Sequence, residues 1–309
     1  MPLALLFPGQ GSQYVGMGRD LCDAFPEAKA VFDEADAALG YPISTICFEG
    51  PEEELKRTAN TQPAILTHSI AALRVLEARR PERVAGAIAA AGHSLGEYSA
   101  GVAAGAYSFG DAVRVVHERG LFMQEAVPEG VGAMAAILGL ASDAVARACE
   151  DAAVDTGKIV SPANYNSPEQ TVIAGHAEGV ARASALCRER GAKKAVPLPV
   201  SAPFHCALME PAAERLRPVL AALSVTDPRI PVVTNVDATE AASGEEVRIA
   251  LARQVASAVR WVESIERMAS AGVTEAVEIG PGAVLAGLVR RIRKEIAVVS
   301  IGKAEQVTA

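Results

Sequence analysis

Apolar and polar positions follow two different rhythms along this chain. At the N-terminus LALLF (residues 3–7) is an unbroken apolar run, the pattern of a short buried strand, and it stops at Pro8 and the glycine-rich GQGSQ. Residues 13–38 then show helical spacing with charges on one face. NTQPAILTHSIAALRVLEARR (60–80) predicts a long helix with Pro63 near its first turn. The Ala-rich run 84–91 fits strand or helix by propensity. GHSLGEYSAGVAAG after it has the form of a tight turn into a small-residue helix, which favours a strand.

Beyond residue 130 the segments shorten and alternate. GAMAAILGL (132–140) reads as a strand and SDAVARACEDAA (142–153) as a helix. IVSPANYN (159–166) and QTVIAGH (170–176) read as two strands joined by a short turn. EGVARASALCRERG (178–191) reads as a helix and AKKAVPLPV (192–200) as a last strand. That order, βαββαβ, predicts a ferredoxin-like unit. Prolines and glycines at 128–132 and the pair Pro197 and Pro199 bound it, which places a small inserted domain at 130–198. The flanking segments, 1–129 and 199–309, are expected to form one discontinuous α/β domain, with helices at 206–223 and 245–270 and strands near 231–235 and 275–279.

Composition narrows the function. A chain of 309 residues is about two domains' worth and can bury a large core without disulfides or metals. Half its residues are hydrophobic and 21% charged, which excludes a disordered chain, and only 4% are aromatic, so no base-stacking platform is expected. The net charge of −8 argues against general nucleic-acid binding while leaving room for a local basic patch. No apolar run reaches the length of a membrane span, and MPLALLFPGQGSQ lacks a basic leader and a long apolar stretch. The expectation is a cytoplasmic protein that begins at this methionine. Five scattered cysteines without a CxxC pair read as free thiols in a reducing compartment. Five histidines without an HExxH motif make a metal site unexpected.

The sharpest local signal is Gly92-His93-Ser94-Leu95-Gly96, a GxSxG nucleophile elbow. A serine at a strand-to-helix turn projects its Oγ out of the sheet. Glycines two before and two after keep the neighbouring backbone from clashing. The following helix aims N–H groups at the site, so the N–H of Leu95 can stabilise an oxyanion. Such a serine needs a base. His68 and His117 sit inside helical stretches, His176 begins a helix, and His93 adjoins the serine on a turn that points neighbours apart. His205, in PVSAPFHCALM between a strand and a helix, stands where a loop carries catalytic groups. Cys206 beside it is a rival nucleophile, otherwise a buried thiol. Asp111, Asp143, Glu150 and Glu169 lie between Ser94 and His205 but carry no motif, so the sequence delivers no triad acid. A backbone carbonyl orienting the imidazole is the alternative.

FPGQGSQ (7–13), GHSLGE (92–97), ERGLFMQEAVPEGVGAM (118–134), NYNSPEQTVIAGH (164–176), PVSAPFHCALM (199–209) and QVASAVRW (254–261) together resemble the bacterial malonyl-CoA:acyl carrier protein transacylases, in the family's order along almost the whole chain. The resemblance implies an α/β-hydrolase-like large domain with a ferredoxin-like insert. It implies a ping-pong transfer of malonyl through an acyl-serine, in fatty acid synthesis or, alternatively, as a trans-acting acyltransferase of polyketide synthesis. By the same resemblance Ser94 is the nucleophile and His205 its base and acid. Gln10 and the N–H of Leu95 form the oxyanion hole, and Arg119 holds the malonyl carboxylate. Gln254 offers its backbone carbonyl to the imidazole, and Asn166 lines the cleft. Phe204 stands where some relatives have Ser, and an aromatic there would tighten the wall against an α-methyl group. The partners implied are malonyl-CoA, as substrate, and an acidic acyl carrier protein. No cofactor and a monomer are implied.

Two other readings of the same elbow remain, a serine thioesterase and a non-catalytic carrier-binding module. For an acidic chain meeting acidic partners, two basic clusters stand out: Arg188, Arg190, Lys193 and Lys194, and Arg290, Arg291, Arg293 and Lys294.

Overall fold

A computed structural model describes residues 2–199 and 202–308. Two sheets organise it. The larger has the strand order β10-β9-β1-β2-β7-β8, from Leu3–Phe7 (β1), Ala87–Gly92 (β2), Val232–Val233 (β7), Glu240–Ala241 (β8), Glu275–Ile279 (β9) and Ala297–Ile301 (β10). All its pairings are parallel except that of β8 with β7 at the edge. Every residue of β1 is buried, as its unbroken apolar run requires for a central parallel strand with helices on both faces. The helix Thr58–Arg79, buried along nearly its whole length, is the spine of one face. Trp261, Ile265, Leu285 and Val289 pack on the other.

The smaller sheet is antiparallel throughout, in the order β4-β5-β3-β6: Gly132–Leu138 (β3), Val160–Ser167 (β4), Gln170–His176 (β5) and Lys194–Pro197 (β6). The helices Ser142–Thr156 and Ala177–Glu189 cross between the strands. They close a separate core around Ile137, Val145, Ile173 and Val180. The α/β class and the βαββαβ order therefore agree with the sequence reading. The smaller sheet is joined by main-chain bonds to the strip that connects the helices Gly244–Gln254 and Trp261–Ser270: Tyr165 donates to Val259 at 2.9 Å and Val259 donates to Ala163 at 2.8 Å.

Several element boundaries differ from expectation, each for a local reason. The stretch 13–38 is two helices, Arg19–Ala24 and Pro26–Leu39, because Phe25 is extended ahead of Pro26. The long helix starts at Thr58 and carries Pro63 within it. The strand expected over 84–91 begins at Ala87, after a turn at Pro81–Arg83. The helix expected over 245–270 is two, Gly244–Gln254 and Trp261–Ser270, and the strip between them turns the carbonyls of Gln254 and Ser257 toward His205. The expected strand 231–235 shrinks to β7, and the helix of 206–223 runs from Glu210 to Ala222. The expected end of the strand 192–200, Val200, lies outside the described residues. Neither β8 nor β10 was among the expected strands. Among the described residues, no helix is long and apolar enough to cross a membrane.

Close packing at the centre is made possible by missing side chains. A Cβ on Gly96 would lie 2.0 Å from the carbonyl oxygen of Phe7 at the end of β1. Gly96→Ala should therefore lower unfolding free energy by about 1–3 kcal/mol. Gly287→Ala, in the helix Val284–Ile292 with nothing within 4 Å of the added carbon, should raise it by about 0.5–1 kcal/mol. Urea unfolding of the two variants beside the parent checks both signs.

Candidate active site

The elbow forms where β2 ends beside β1. His93 donates its N–H to Phe7 at 3.0 Å, and the next residue turns into the left-handed region, with Ser94 at φ 52°. That conformation is costly for a non-glycine residue. Two features hold it. A Cβ on Gly92 would meet the Gly96 carbonyl carbon at 1.9 Å, so the turn can close only around glycine. Asn235, just past β7, accepts the Ser94 N–H at 2.7 Å and donates to the Gly92 carbonyl at 2.7 Å, tying both ends of the turn together. The helix Gly96–Ala104 then leads away.

His205 is also left-handed, at φ 61°, and is buried. Its Nε2 lies 2.7 Å from Ser94 Oγ. Its Nδ1 lies 3.0 Å from the Gln254 carbonyl and 3.1 Å from that of Ser257. Two carbonyls can only accept, so Nδ1 carries the proton and Nε2 is free to accept from the serine. Among the described residues, the Nδ1 partners are these two carbonyls rather than a carboxylate. Burial, helped by the nearby Arg119 cation, pushes the imidazole down to about 3, against the opposing pull of the two carbonyls.

Arg119, on the helix Phe109–Glu125, is 1% exposed. It donates Nη1 to Gln62 Oε1 at 2.7 Å, and Nη2 to Gln254 Oε1 at 2.8 Å and to Ser94 Oγ at 3.3 Å. All three acceptors are neutral. Burial lowers its pKa, partly opposed by Tyr98 and Glu97. Among the described residues the guanidinium is hydrogen-bonded only by amides and a hydroxyl, which leaves its charge free to attract an anion.

These groups face one cavity of about 120 Å³ that also holds Gln10, Leu95, Gln62, Met123, Met134, Leu198 and Phe204 on its walls. Among the described residues, the N–H groups of Gln10 and Leu95 donate to no protein acceptor, so both are available to an oxyanion. Asn166 is placed differently from expectation. Asn164 lines the cavity, whereas Asn166 Oδ1 sits 2.8 Å from His93 Nε2. The register of β4 slips between Pro162 and Asn164 and again between Tyr165 and Ser167, which breaks the simple alternation of its faces.

The other histidines are engaged elsewhere: His68 Nε2 with the Gly302 carbonyl, His117 Nδ1 with that of Ala59, and His176 Nδ1 with the Ile159 N–H. Cys206 is a buried thiol directed at the Pro203 carbonyl, and burial raises its pKa to about 11, which removes it as a rival nucleophile. Neither basic cluster lines the cavity. Arg190 pairs with Asp151, Lys193 with Glu169 at 3.8 Å, and Arg293 with Glu266. Gln62, Glu97, Asn235 and Ser257 belong to the site without having been foreseen. Glu97 and Ser257 lie within the GHSLGE and QVASAVRW segments but carried no role of their own, whereas Gln62 and Asn235 sit among other polar residues, in TANTQ and TNVD, with nothing to single them out.

Residues 4–307 match the acyl transferase domain family. The malonyl CoA-acyl carrier protein transacylase of Escherichia coli K12 is 53% identical over 289 residues, 94% of this chain and 92% of its own. The crystal structure of an acyl carrier protein S-malonyltransferase from Vibrio cholerae superimposes with a TM-score of 0.95 at 47% identity, covering 100% of this chain and 99% of that one. A malonyl transacylase in complex with a holo type II polyketide acyl carrier protein superimposes with the same TM-score at 47% identity, covering 100% of this chain and 98% of that one. The chain belongs to the acyl transferase family and, within it, to the malonyl-CoA:acyl carrier protein transacylases, which move a malonyl group from coenzyme A to acyl carrier protein.

Proposed function

We propose that the chain carries out this transfer by a ping-pong cycle through a malonyl ester on Ser94, and that it supplies fatty acid synthesis. The observation that carries the reading is the buried Arg119 with neutral partners, 3.3 Å from the hydroxyl that the imidazole activates. In the first half, His205 Nε2 takes the Ser94 proton as Oγ attacks the thioester carbonyl. The oxyanion accepts from the N–H groups of Gln10 and Leu95. The C–S bond then breaks, and the imidazolium returns the proton to the departing CoA thiol. In the second half the carrier's pantetheine thiol gives its proton to His205 and attacks the ester carbonyl. The C–O bond breaks and Ser94 recovers its proton.

Arg119 binds the distal carboxylate, and its planar fork suits that group. This contact has a second effect. Arg119 is one of the causes holding the imidazole pKa down, so a carboxylate that neutralises it makes His205 a stronger base when malonyl is bound. A neutral acyl group lacks both advantages. The walls formed by Met123, Met134, Leu198 and Phe204 favour transfer over the thioesterase alternative, because they keep water from the ester.

The finer assignments are proposals of the same kind. Residues 130–198 are taken as the inserted domain, supported by their separate core, and 1–129 with 199–309 as the other. A monomer suffices for the chemistry, since Ser94, His205, Arg119 and Gln254 all come from one chain. The reaction is placed in the cytoplasm, where five free cysteines suit the redox poise. For carrier docking the 188–194 cluster is preferred, because Lys193 is only loosely paired and both Lys193 and Lys194 are exposed.

Mass spectrometry after mixing with malonyl-CoA should show one malonyl adduct, absent in Ser94→Ala and stable in water without a thiol acceptor. Rapid release of malonate would instead favour the thioesterase. Arg119→Ala should slow malonyl acylation by on the order of a hundredfold or more, the scale of breaking a buried pair, and raise the relative rate with acetyl-CoA. Unchanged preference would remove the assigned role. Acylation should not decline near pH 6.5 from imidazole protonation. Stability follows the same group. The unfolded chain protonates this imidazole near 6.5 while the folded one resists to about 3, so stability falls as pH drops through that window, and His205→Gln should fall less in urea unfolding. Charge reversal of Lys193 and Lys194 should raise KM for the carrier more than for malonyl-CoA, with a difference that shrinks in salt. Equal KM values at low salt would exclude the cluster.

A further inference from the structure

Glu97, in the first turn of the helix after the elbow, is wholly buried and takes no part in the cycle above. One carboxylate oxygen, Oε2, accepts from Gln254 Nε2 at 2.8 Å and from the Asn235 N–H at 2.9 Å. The other, Oε1, has no hydrogen-bond partner among the described residues. A buried carboxyl group is costly unless it is hydrogen-bonded, and here all of the compensation falls on Oε2 and its two neighbours. Its neighbours are the two residues that tie the site together. Asn235 clasps both ends of the Ser94 turn. Gln254 offers its carbonyl to His205 and its side-chain oxygen to Arg119.

A glutamine amide has one accepting end and one donating end, and swapping them reverses what each neighbour meets. If the Gln254 amide turned over, its NH2 would face the Arg119 cation and its oxygen would face acceptors. Ser94 O, at 2.9 Å from Nε2, opposes that turn by itself. Glu97 Oε2, which already accepts from the Asn235 N–H, faces the same NH2 group and opposes it further. We infer that Glu97 is a positioning residue: it fixes the amide of Gln254 and, through that amide, the guanidinium of Arg119 and hence the preference for a malonyl group. The inference rests on the reading that Arg119 holds the malonyl carboxylate.

The test compares acylation of Ser94 by malonyl-CoA and acetyl-CoA, as kcat/KM in single-turnover mixing, for Glu97→Met, Glu97→Gln, Glu97→Asp and Arg119→Ala beside the parent. Glu97→Met removes the acceptor at similar volume. The malonyl-to-acetyl ratio should fall on the order of tenfold or more, the size of one lost hydrogen bond to a charged group, with most of the loss in the malonyl KM. Acetyl-CoA acylation should fall by a smaller factor. Glu97→Gln, which can still present an oxygen to Gln254, should restore most of the ratio. Should Glu97→Met fail to fold, Glu97→Asp serves, since it withdraws the acceptor by one methylene and should lower the ratio severalfold. Adding Glu97→Met to Gln254→Met should cost no further discrimination if the first acts through the second. A folded Glu97→Met or Glu97→Asp with the parent ratio, or with equal losses for both acyl groups, overturns the inference. If Arg119→Ala loses malonyl preference while the Glu97 variants keep it, only the inference falls. If Arg119→Ala also keeps it, the reading beneath falls as well.

Discussion

A guanidinium buried in the protein interior gives up most of its hydration, at a cost of several kcal/mol even after the protein relaxes around it. Arg119 is in that position, and the architecture around it can be read as a response. Gln62 reaches it from the buried helix Thr58–Arg79, and Gln254 reaches it from the end of a helix in the C-terminal half. Both present amide oxygens, which orient the cation without cancelling its charge. In the proposed cycle, full compensation comes from a carboxylate that arrives with the acyl group. A carboxylate from the protein itself at the same place would have made the cavity more stable and unable to tell malonyl from acetyl.

The reacting pair is held under conformational strain. Ser94 and His205 both occupy the left-handed region, at a cost of order 1–3 kcal/mol each. The strain is sustained by over-determination. Asn235 grips both ends of the serine turn, and two carbonyls grip the imidazole. Backbone carbonyls replace the acid of a triad. They fix the tautomer as an acid would, but they add no negative charge that would raise the imidazole pKa. Burial then holds the imidazole pKa low, and in the proposed cycle a carboxylate on Arg119 would strengthen the base.

Much of this could be read from the chain. The βαββαβ unit was legible because prolines and glycines bound each of its segments, and the elbow because only glycine permits so tight a turn. Ser94, His205, Arg119 and Gln254 were reached through motifs of the family. The rest was hidden for physical reasons. The break after Gln254 has no glycine or proline to announce it, although it exposes the carbonyls on which His205 depends. Asn164 and Asn166 could not be told apart by strand alternation, since irregular register in β4 decides which one faces the cavity. Gln62, Glu97 and Asn235 act through tertiary contacts between residues far apart in the chain. Nothing in their local spacing records those contacts.

The main-chain stitching between Val259 and the edge of β4 has a mechanical meaning. The strip it fastens is the one that bears the carbonyls of Gln254 and Ser257. Tilting the small sheet against the large one would drag that strip, and with it the aim of the imidazole. The width of the cleft and the alignment of the proton carrier thus behave as one variable. Loop designs that pry the sheets apart to admit bulkier acyl groups would, by the same displacement, detune the chemistry they were meant to broaden.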